Sequence, residues 1–323
     1  MGGGSYDRDV YSSYSSGSST SWGTTKSYST ESSKVMSRSR PTNDMTPSVK
    51  GNLICEHENP IVIAFDVTGS MGEAPRIMYD KFPMFWGELV KKNYLPDPSV
   101  SFFAIGDVNS DSYPLQLCQF GEGIVLDELM KKLYLEGGGG PAYCESYELC
   151  AYYYAHCCNL KAAKLPFFFF IGDEDYYKDL SSSDIKKYCD KKYTGQSKTA
   201  AETFAALKKN FKNNTFLLHK EYGAGYDDQI VRSWKEVLGN QNVHNLKDPK
   251  AVVDMMLGII ALVSEARTLG DYLVDMKSRE QTDERIALVE SNLSDLENSL
   301  VSTVDSMPST SSTTKRTTGS RRL

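Results

Sequence analysis

Three oxygen-bearing side chains stand at alternate positions directly after an apolar run. The run is Ile61–Phe65, and Asp66, Thr68 and Ser70 follow it, with Gly69 between the two hydroxyl residues. Carboxylate and hydroxyl oxygens are hard ligands of the kind that Mg²⁺ and Mn²⁺ prefer in proteins. The spacing therefore predicts a divalent-cation site that begins at Asp66.

Two other segments carry groups that such a site needs. The first segment contains the run Gly137–Gly140, and Glu145 and Ser146 follow it shortly. The second segment contains Asp173, just after the apolar run Phe167–Ile171. Because glycine lacks a Cβ, a loop of four glycines can approach a metal or a ligand closely. We expect all three segments to contribute to one site.

Mg²⁺ demands near-octahedral oxygen coordination and usually keeps several of its waters. We expect the hydroxyls of Thr68 and Ser70 to bind the cation directly. The carboxylates of Asp66 and Asp173 would then hold its waters. With few charged direct ligands, the ion stays electrophilic and can accept a carboxylate from a partner. The alternative is that Asp66 is a turn or helix-cap residue that binds no metal.

The rest of the chain must bring these segments together. Strands are predicted at 61–65, 100–105, 115–120, 167–171, 215–219 and 242–246, and helices at 75–92, 123–135, 145–158, 181–190, 198–210, 227–238 and 249–269. This alternation is typical of an α/β fold with a doubly wound, mostly parallel central sheet and helices on both faces. The loops at the carboxyl ends of the strands form the ligand-binding edge of such a sheet.

Composition divides the chain into four parts. We predict a disordered Ser/Gly/Tyr-rich tail at 1–52, a globular domain at 53–270, a helical extension at 271–306 and a disordered basic Ser/Thr-rich tail at 307–323. Each tail has too few apolar side chains to offset the entropy of ordering it.

The helical extension contains apolar residues in steps of three and four. They are Ile286, Val289, Leu293, Leu296 and Leu300. This spacing fits a short coiled coil through which two chains self-associate. It fits equally well a helix that folds back on its own domain.

Composition also argues against several classes of protein. The formal net charge of −6 weighs against a general nucleic-acid-binding protein, which would display a basic surface. No apolar run approaches the ~20 residues that span a bilayer, and the start of the chain lacks the apolar core of a secretory signal. Seven cysteines without a Cys-x-x-Cys pair indicate free thiols in a reducing compartment. We therefore expect a soluble cytoplasmic protein.

The combination of motifs resembles the von Willebrand factor A (vWA, VWFA) domain family with its metal-ion-dependent adhesion site (MIDAS). The family's first motif is Asp-x-Ser-x-Ser at the end of the first strand. Asp66, Thr68 and Ser70 match it, with Thr in place of the first Ser. The family's later Asp, at the end of the fourth strand, corresponds to Asp173. The resemblance covers roughly residues 55–269, in the family's order of elements.

One departure concerns the loop between these two motifs, where the family usually supplies a coordinating Thr. The segment Gly137–Cys144 contains none, so Glu145 or Ser146 would have to take its place. The resemblance implies a binding module and not an enzyme, and the free cysteines without an export signal point to the family's intracellular members. Such a module grips an Asp or Glu of a partner protein through the divalent cation.

An enzyme is the alternative. The segment 66–70, Asp-Val-Thr-Gly-Ser, also resembles the nucleophile loop of haloacid-dehalogenase-type phosphotransferases, in the form found in cation-pumping ATPases. Asp66 would then attack phosphorus, with Mg²⁺ neutralising the phosphoryl oxygens. The usual second Asp two residues on is absent, and the sequence places no Lys clearly for the phosphate. A P-loop or a Rossmann nucleotide site fits less well, because neither glycine signature is present.

Overall fold

The computed structural model describes residues 40–41, 45–140, 143–223 and 225–305. Most of the predicted tails, at 1–39, 42–44 and 307–323, therefore lies outside the described residues. The last part of the predicted N-terminal tail is packed, because Pro47–Lys50 is helical and Met45 is buried in the core. The folded part thus includes residues from 45 onward, earlier than the predicted start at 53.

Strands and helices alternate along the described chain. The strands are β1 Leu53–Ile54, β2 Asn59–Asp66, β3 Pro98–Ile105, β4 Leu115–Leu117, β5 Cys144–Glu145, β6 Cys158–Asn159, β7 Phe167–Gly172, β8 Asp175–Tyr176, β9 Asp179–Leu180, β10 Lys198–Thr199, β11 Thr215–His219 and β12 Val243–Asn245. The α-helices are α1 Pro47–Lys50, α2 Ala74–Lys91, α3 Val125–Met130, α4 Tyr147–His156, α5 Ser182–Asp184, α6 Ala200–Asn210, α7 Asp227–Leu238, α8 Val252–Val263, α9 Leu269–Ser278 and α10 Asp283–Asp305. Short 3-10 helices occupy Gly69–Met71, Asn240–Asn242 and Pro249–Ala251, and a π-helix occupies Ile185–Cys189.

A six-stranded sheet in the order β12-β11-β7-β2-β3-β4 forms the centre of the fold. All neighbours in it run parallel except β4, which is antiparallel to β3. The prediction of an α/β fold with a mostly parallel central sheet is confirmed. Phe65 on β2 pairs with Ile171 on β7, so the carboxyl ends of these two strands lie side by side.

Both faces of the sheet are covered. Ile63 and Phe65 of β2 belong to one apolar cluster, which includes α2 and α8. Val62 and Ala64 belong to a second cluster, which includes α4, α6 and α7. The five apolar residues of β7 divide between the two clusters in the same way. A continuous apolar run suits this position, because a central strand is buried on both sides.

Several predicted helices are shorter than the pattern suggested, most clearly those at 123–135 and 249–269. The helix predicted at 123–135 is limited to α3. The helix predicted at 249–269 breaks after α8, because Glu265 adopts a left-handed backbone conformation with φ 58°. An α-helix does not continue through such a residue. The chain then begins α9, where the Thr268 side chain accepts a hydrogen bond from the Asp271 N–H.

The helical extension packs against its own domain. Ile286, Val289, Leu293 and Leu296 of α10 are buried in the same apolar cluster as α8. A buried ion pair of 2.9 Å joins Arg279 to Asp254 of α8. The apolar stripe is therefore covered within the chain, as in the fold-back alternative, whereas the coiled-coil alternative would need these same side chains for a second copy.

None of the described helices is both long enough and apolar enough to cross a membrane.

The packing of α10 can be tested by truncating one buried side chain. Leu293 is fully buried, whereas Val301 on the same helix is 56% exposed. We expect Leu293→Ala to lower the free energy of unfolding by about 3 kcal/mol, because it leaves a cavity. Val301→Ala is the control and should change it by less than about 0.5 kcal/mol. Equal effects of the two substitutions in urea denaturation would contradict the docking of α10.

Candidate metal centre

The predicted site residues Asp66 and Asp173 lie together at the carboxyl end of the sheet. Asp66 is the last residue of β2, and Asp173 directly follows the adjacent strand β7. In chain order β2 is the first strand of the central sheet and β7 the fourth. Both carboxylates have no solvent-exposed surface. The parallel pairing of two neighbouring strands thus brings together two residues 107 positions apart in the sequence.

Two hydrogen bonds and one close contact between hydroxyl oxygens link Asp66 to Asp173. Asp66 Oδ1 accepts bonds from the Thr68 N–H at 2.8 Å and from the Thr68 hydroxyl at 2.6 Å. The hydroxyl oxygens of Thr68 and Ser70 lie 3.1 Å apart. The Ser70 hydroxyl in turn donates to Asp173 Oδ1 at 3.0 Å. Four of the six predicted site residues therefore form one connected cluster.

Glu145 joins this cluster, but Ser146 does not. Glu145 lies on β5, is 1% exposed, and its Oε2 atom has no hydrogen-bond partner among the described residues. The Ser146 hydroxyl instead accepts a bond from the Val108 N–H at 3.0 Å. Glu145 is thus available to the site, whereas Ser146 holds the loop that follows β3. Of the two substitutes for the missing loop Thr, the geometry favours Glu145.

The glycine loop contacts the first motif directly. The Gly69 N–H donates to the Gly138 carbonyl oxygen at 2.6 Å. A Cβ on Gly69 would lie 3.1 Å from that oxygen, closer than most side chains tolerate. Asp111 holds the loop from the other side, since its carboxylate accepts from the N–H groups of Gly139 at 2.9 Å and Asp107 at 2.8 Å. Asp111 therefore holds the glycine loop against the loop that follows β3.

Two residues that the sequence analysis missed complete the cluster. Asp66 Oδ2 accepts a hydrogen bond from the Tyr147 hydroxyl at 2.7 Å. The Lys220 ammonium donates to Asp173 Oδ2 at 3.0 Å and to the Ser70 carbonyl oxygen at 3.1 Å. Lys220 is the first residue after β11. Residues at the carboxyl ends of parallel strands lie at the ligand-binding edge of the sheet, so its sequence position could have identified it. No comparable signal marks Tyr147, whose ring reaches the site from the start of α4.

Glu174 is a further carboxylate at this end of the sheet. It follows Asp173, is 6% exposed, and its Oε2 atom has no hydrogen-bond partner among the described residues. Its main-chain carbonyl oxygen accepts a bond from the Trp234 indole N–H at 3.0 Å, which fixes the position of the backbone. The side chain adds a second unpartnered carboxylate oxygen beside that of Glu145.

Burial makes ionisation of these acids costly. It raises the pKa of Asp66 to about 7, and the nearby Asp173 carboxylate adds to the increase. Burial also raises the pKa of Glu174 to about 7, again with help from Asp173. The pKa of Glu145 rises to about 11 through burial and the carboxylates of Asp66 and Glu174. The shifts show that the ion pair of Asp173 with Lys220 does not compensate the burial of Asp66, Glu145 and Glu174.

The donor chemistry of the cluster fits a hard divalent cation. Buried carboxylate oxygens without partners are rare, because such atoms lose the hydrogen bonds that water provides. Here two of them, on Glu145 and Glu174, accompany the hydroxyls of Thr68 and Ser70. Within the described residues, no group of three or more His, Cys, Asp or Glu side chains is arranged to hold a metal ion. A cation at this cluster would therefore depend on the hydroxyl oxygens.

Comparisons with known proteins do not assign the chain to a family. No protein-family model and no curated protein matches it. Among solved structures, it is similar to the pilus adhesin SpaC from Lactobacillus rhamnosus GG, with 9% identity and a TM-score of 0.45 over 66% of this chain and 31% of that one. It is also similar to proximal thread matrix protein 1 from the mussel byssus, with 11% identity and a TM-score of 0.40 over 64% of this chain and 49% of that one. The chain thus spans less than half the length of either structure.

The raised pKa values predict how stability depends on pH. The folded protein retains protons that the unfolded chain releases above about pH 4, so stability is lost as the pH rises through the folded-state values. Without divalent cations, we expect the Tm to fall by roughly 5 °C or more between about pH 5 and about pH 8. Circular dichroism would measure this fall, and an unchanged Tm would contradict the burial of these acids.

The substitution Glu145→Gln should make the fall smaller, because glutamine cannot ionise. The matched control is Glu56→Gln, at an exposed carboxylate, which should follow the wild type.

Proposed function

We propose that the chain is a vWA-type binding module that engages a carboxylate of a partner protein through a divalent cation. In this proposal the domain is doubly wound. The cation is Mg²⁺ or Mn²⁺, held by Thr68 and Ser70 with Asp66 and Asp173 behind them. Glu145 takes the place of the loop Thr. The module is not an enzyme, and its partner is a protein that presents Asp or Glu, with no role for nucleic acid.

The observation that carries the proposal is the connected cluster at the carboxyl end of the sheet. The Thr68 hydroxyl donates to Asp66 and the Ser70 hydroxyl donates to Asp173, which leaves the two hydroxyl oxygens 3.1 Å apart with their lone pairs free for a cation. Beside it, Glu145 and Glu174 have buried oxygens without partners. A divalent cation would supply the positive charge that these acids lack, and it could accept one more oxygen from outside the chain.

Each residue of the cluster has a definite task in this proposal. Thr68 and Ser70 donate hydroxyl oxygens to the cation. Asp66 fixes the Thr68 side chain, and Tyr147 fixes Asp66 in turn. Asp173 orients Ser70 and is itself held by Lys220. Hydrogen bonds that orient the metal ligands in this way are expected to influence the affinity for the metal.

The phosphotransferase remains the second candidate because of Lys220. Its ammonium lies 3.0 Å from Asp173, which supplies the lysine that the sequence did not place. The state of Asp66 weighs against this candidate. Asp66 has no exposed surface, and both of its carboxylate oxygens accept hydrogen bonds. A nucleophile needs an oxygen that can reach phosphorus, so we favour binding over catalysis.

The cellular compartment is part of the proposal. The seven cysteines of the chain all lie in its described part and are free thiols. Most of them are buried, where burial raises the pKa of thiols such as Cys118 to about 12 and Cys157 to about 12. Thiols of this kind are inert core residues. We propose a reducing, cytoplasmic location.

Removing one hydroxyl tests the cation site. We expect Ser70→Ala to weaken Mn²⁺ binding by at least about tenfold, because it removes one ligand and breaks the link between Thr68 and Asp173. Titration calorimetry with Mn²⁺ alone measures this change. Ser291→Ala, at an exposed serine of α10, is the matched control and should bind Mn²⁺ as the wild type does. Equal affinities of the wild type and Ser70→Ala would refute the site.

A phosphatase assay separates the two candidate functions. With p-nitrophenyl phosphate and Mg²⁺, we expect no turnover above that of Asp66→Asn, because the buried Asp66 carboxylate cannot reach a phosphoryl group. Turnover that disappears in Asp66→Asn, with the fold intact by circular dichroism, would favour the phosphotransferase.

A further inference from the structure

Three tyrosine rings form an exposed cluster beside the candidate metal centre. The rings of Tyr143 and Tyr226 are stacked, with centroids 4.6 Å apart and an interplanar angle of 25°. Tyr222 packs edge-on against both, at 5.7 Å from Tyr143 and 6.3 Å from Tyr226. Tyr143 is 47% exposed and Tyr226 is 39% exposed. We call these three residues the tyrosine cluster.

The tyrosine cluster is attached to two loops that also carry residues of the metal centre. Tyr143 stands two positions before Glu145, and Tyr222 stands two positions after Lys220. The Tyr143 carbonyl oxygen accepts a hydrogen bond from the Asp175 N–H at 3.2 Å, which ties it to the segment after Asp173. The exposed rings and the metal centre therefore lie at the same end of the sheet.

A contact between the buried His219 and the partly exposed Asp227 fixes the second of these loops. His219 is 1% exposed, and its Nε2 atom lies 2.9 Å from Asp227 Oδ1. The Asp227 carboxylate also accepts hydrogen bonds from the Tyr222 N–H at 2.6 Å and the Gly223 N–H at 2.9 Å. These contacts hold the backbone of Tyr222 in place. The rings are thus presented on a supported loop.

The surroundings of the tyrosine cluster are acidic. Burial raises the pKa of the Tyr222 phenol, and the carboxylates of Glu174 and Asp173 add to the increase. The hydrogen bond and charge of Tyr226 raise the pKa of Tyr143, with a smaller contribution from Glu174. Glu221 and Asp228 add two carboxylates on the segment that carries Tyr222 and Tyr226. Lys220 and Lys178 are paired with Asp173 and Asp175. Exposed aromatic faces among carboxylates attract a cationic side chain.

We propose that the tyrosine cluster binds an arginine side chain of the same partner segment that offers its carboxylate to the metal centre. This inference rests on the proposed function and adds to it the identity of a second recognition element. The planar guanidinium stacks flat on tyrosine rings while its several N–H groups reach neighbouring carboxylates in a bidentate manner, a geometry that the compact ammonium of lysine does not provide. The partner segment therefore carries an acidic residue and an arginine.

Selection from a random-peptide display library tests this inference. The immobilised full chain is loaded with Mg²⁺, and bound peptides are eluted with EDTA. We expect the eluted peptides to be enriched in sequences that contain both an acidic residue and an arginine. Titration calorimetry with Mn²⁺ alone on the same protein shows separately whether the cation site exists.

One synthetic peptide from the selection is then measured against variants. We expect the double variant Tyr143→Leu/Tyr226→Leu to bind it roughly threefold to tenfold more weakly while it binds Mn²⁺ with unchanged affinity. Replacing the peptide's arginine by glutamine should cause the same loss, and should cause no further loss in the double variant. Tyr143→Phe/Tyr226→Phe keeps the rings and should keep the affinity.

Tyr193→Leu is the matched control, because Tyr193 pairs with Tyr152 elsewhere on the chain, and it should bind the peptide as the wild type does. A selection without arginine enrichment, or equal peptide binding by wild type and the Tyr143→Leu/Tyr226→Leu variant, would overturn the role of the tyrosine cluster. If Mn²⁺ binding persists in that case, the proposed function stands without a role for the tyrosine cluster. If Mn²⁺ does not bind at all, the proposed function fails as well.

Discussion

The burial of four carboxylates at one end of the sheet is the constraint on which this structure depends. Asp66, Glu145, Asp173 and Glu174 are each at most 6% exposed. In the described part of the chain, Lys220 forms an ion pair with Asp173. Like charges packed together away from water are unfavourable unless they are protonated or compensated. A site of this kind is stable either in a protonated state or with a cation, and this choice links its chemistry to pH.

The fold makes this arrangement possible by bringing the acids together from three separate segments, which are the end of β2, β5 and the turn after β7. Pairing of β2 with β7 aligns Asp66 and Asp173, and pairing of β5 with β8 adds Glu145. Two apolar clusters cover both faces of the sheet and hold the strands in place. Rigid elements are needed because a metal site tolerates little displacement of its ligands. Helices α9 and α10 pack into the apolar cluster that contains α8 and so stabilise the same core.

The sequence was sufficient for the elements of the central sheet and for the residues at its carboxyl edge. Apolar runs with sharp polar ends identify β2 and β7, and they place Asp66 and Asp173 without any knowledge of contacts. The sequence did not predict the features of the structure that depend on tertiary packing or on local backbone conformation. Tyr147 reaches Asp66 through space, and the length of α3 and the break after α8 depend on local backbone conformation. The direction of Ser146 toward Val108 is likewise a property of the folded loop.

The most direct test of the account is to locate a bound cation. Crystals of the full chain grown with Mn²⁺ can be measured at a wavelength where manganese scatters anomalously. We expect an anomalous peak within bonding distance of the Thr68 and Ser70 hydroxyl oxygens, next to Asp66 and Asp173. A well-ordered site with no such peak, or a peak bound only elsewhere on the chain, would contradict it.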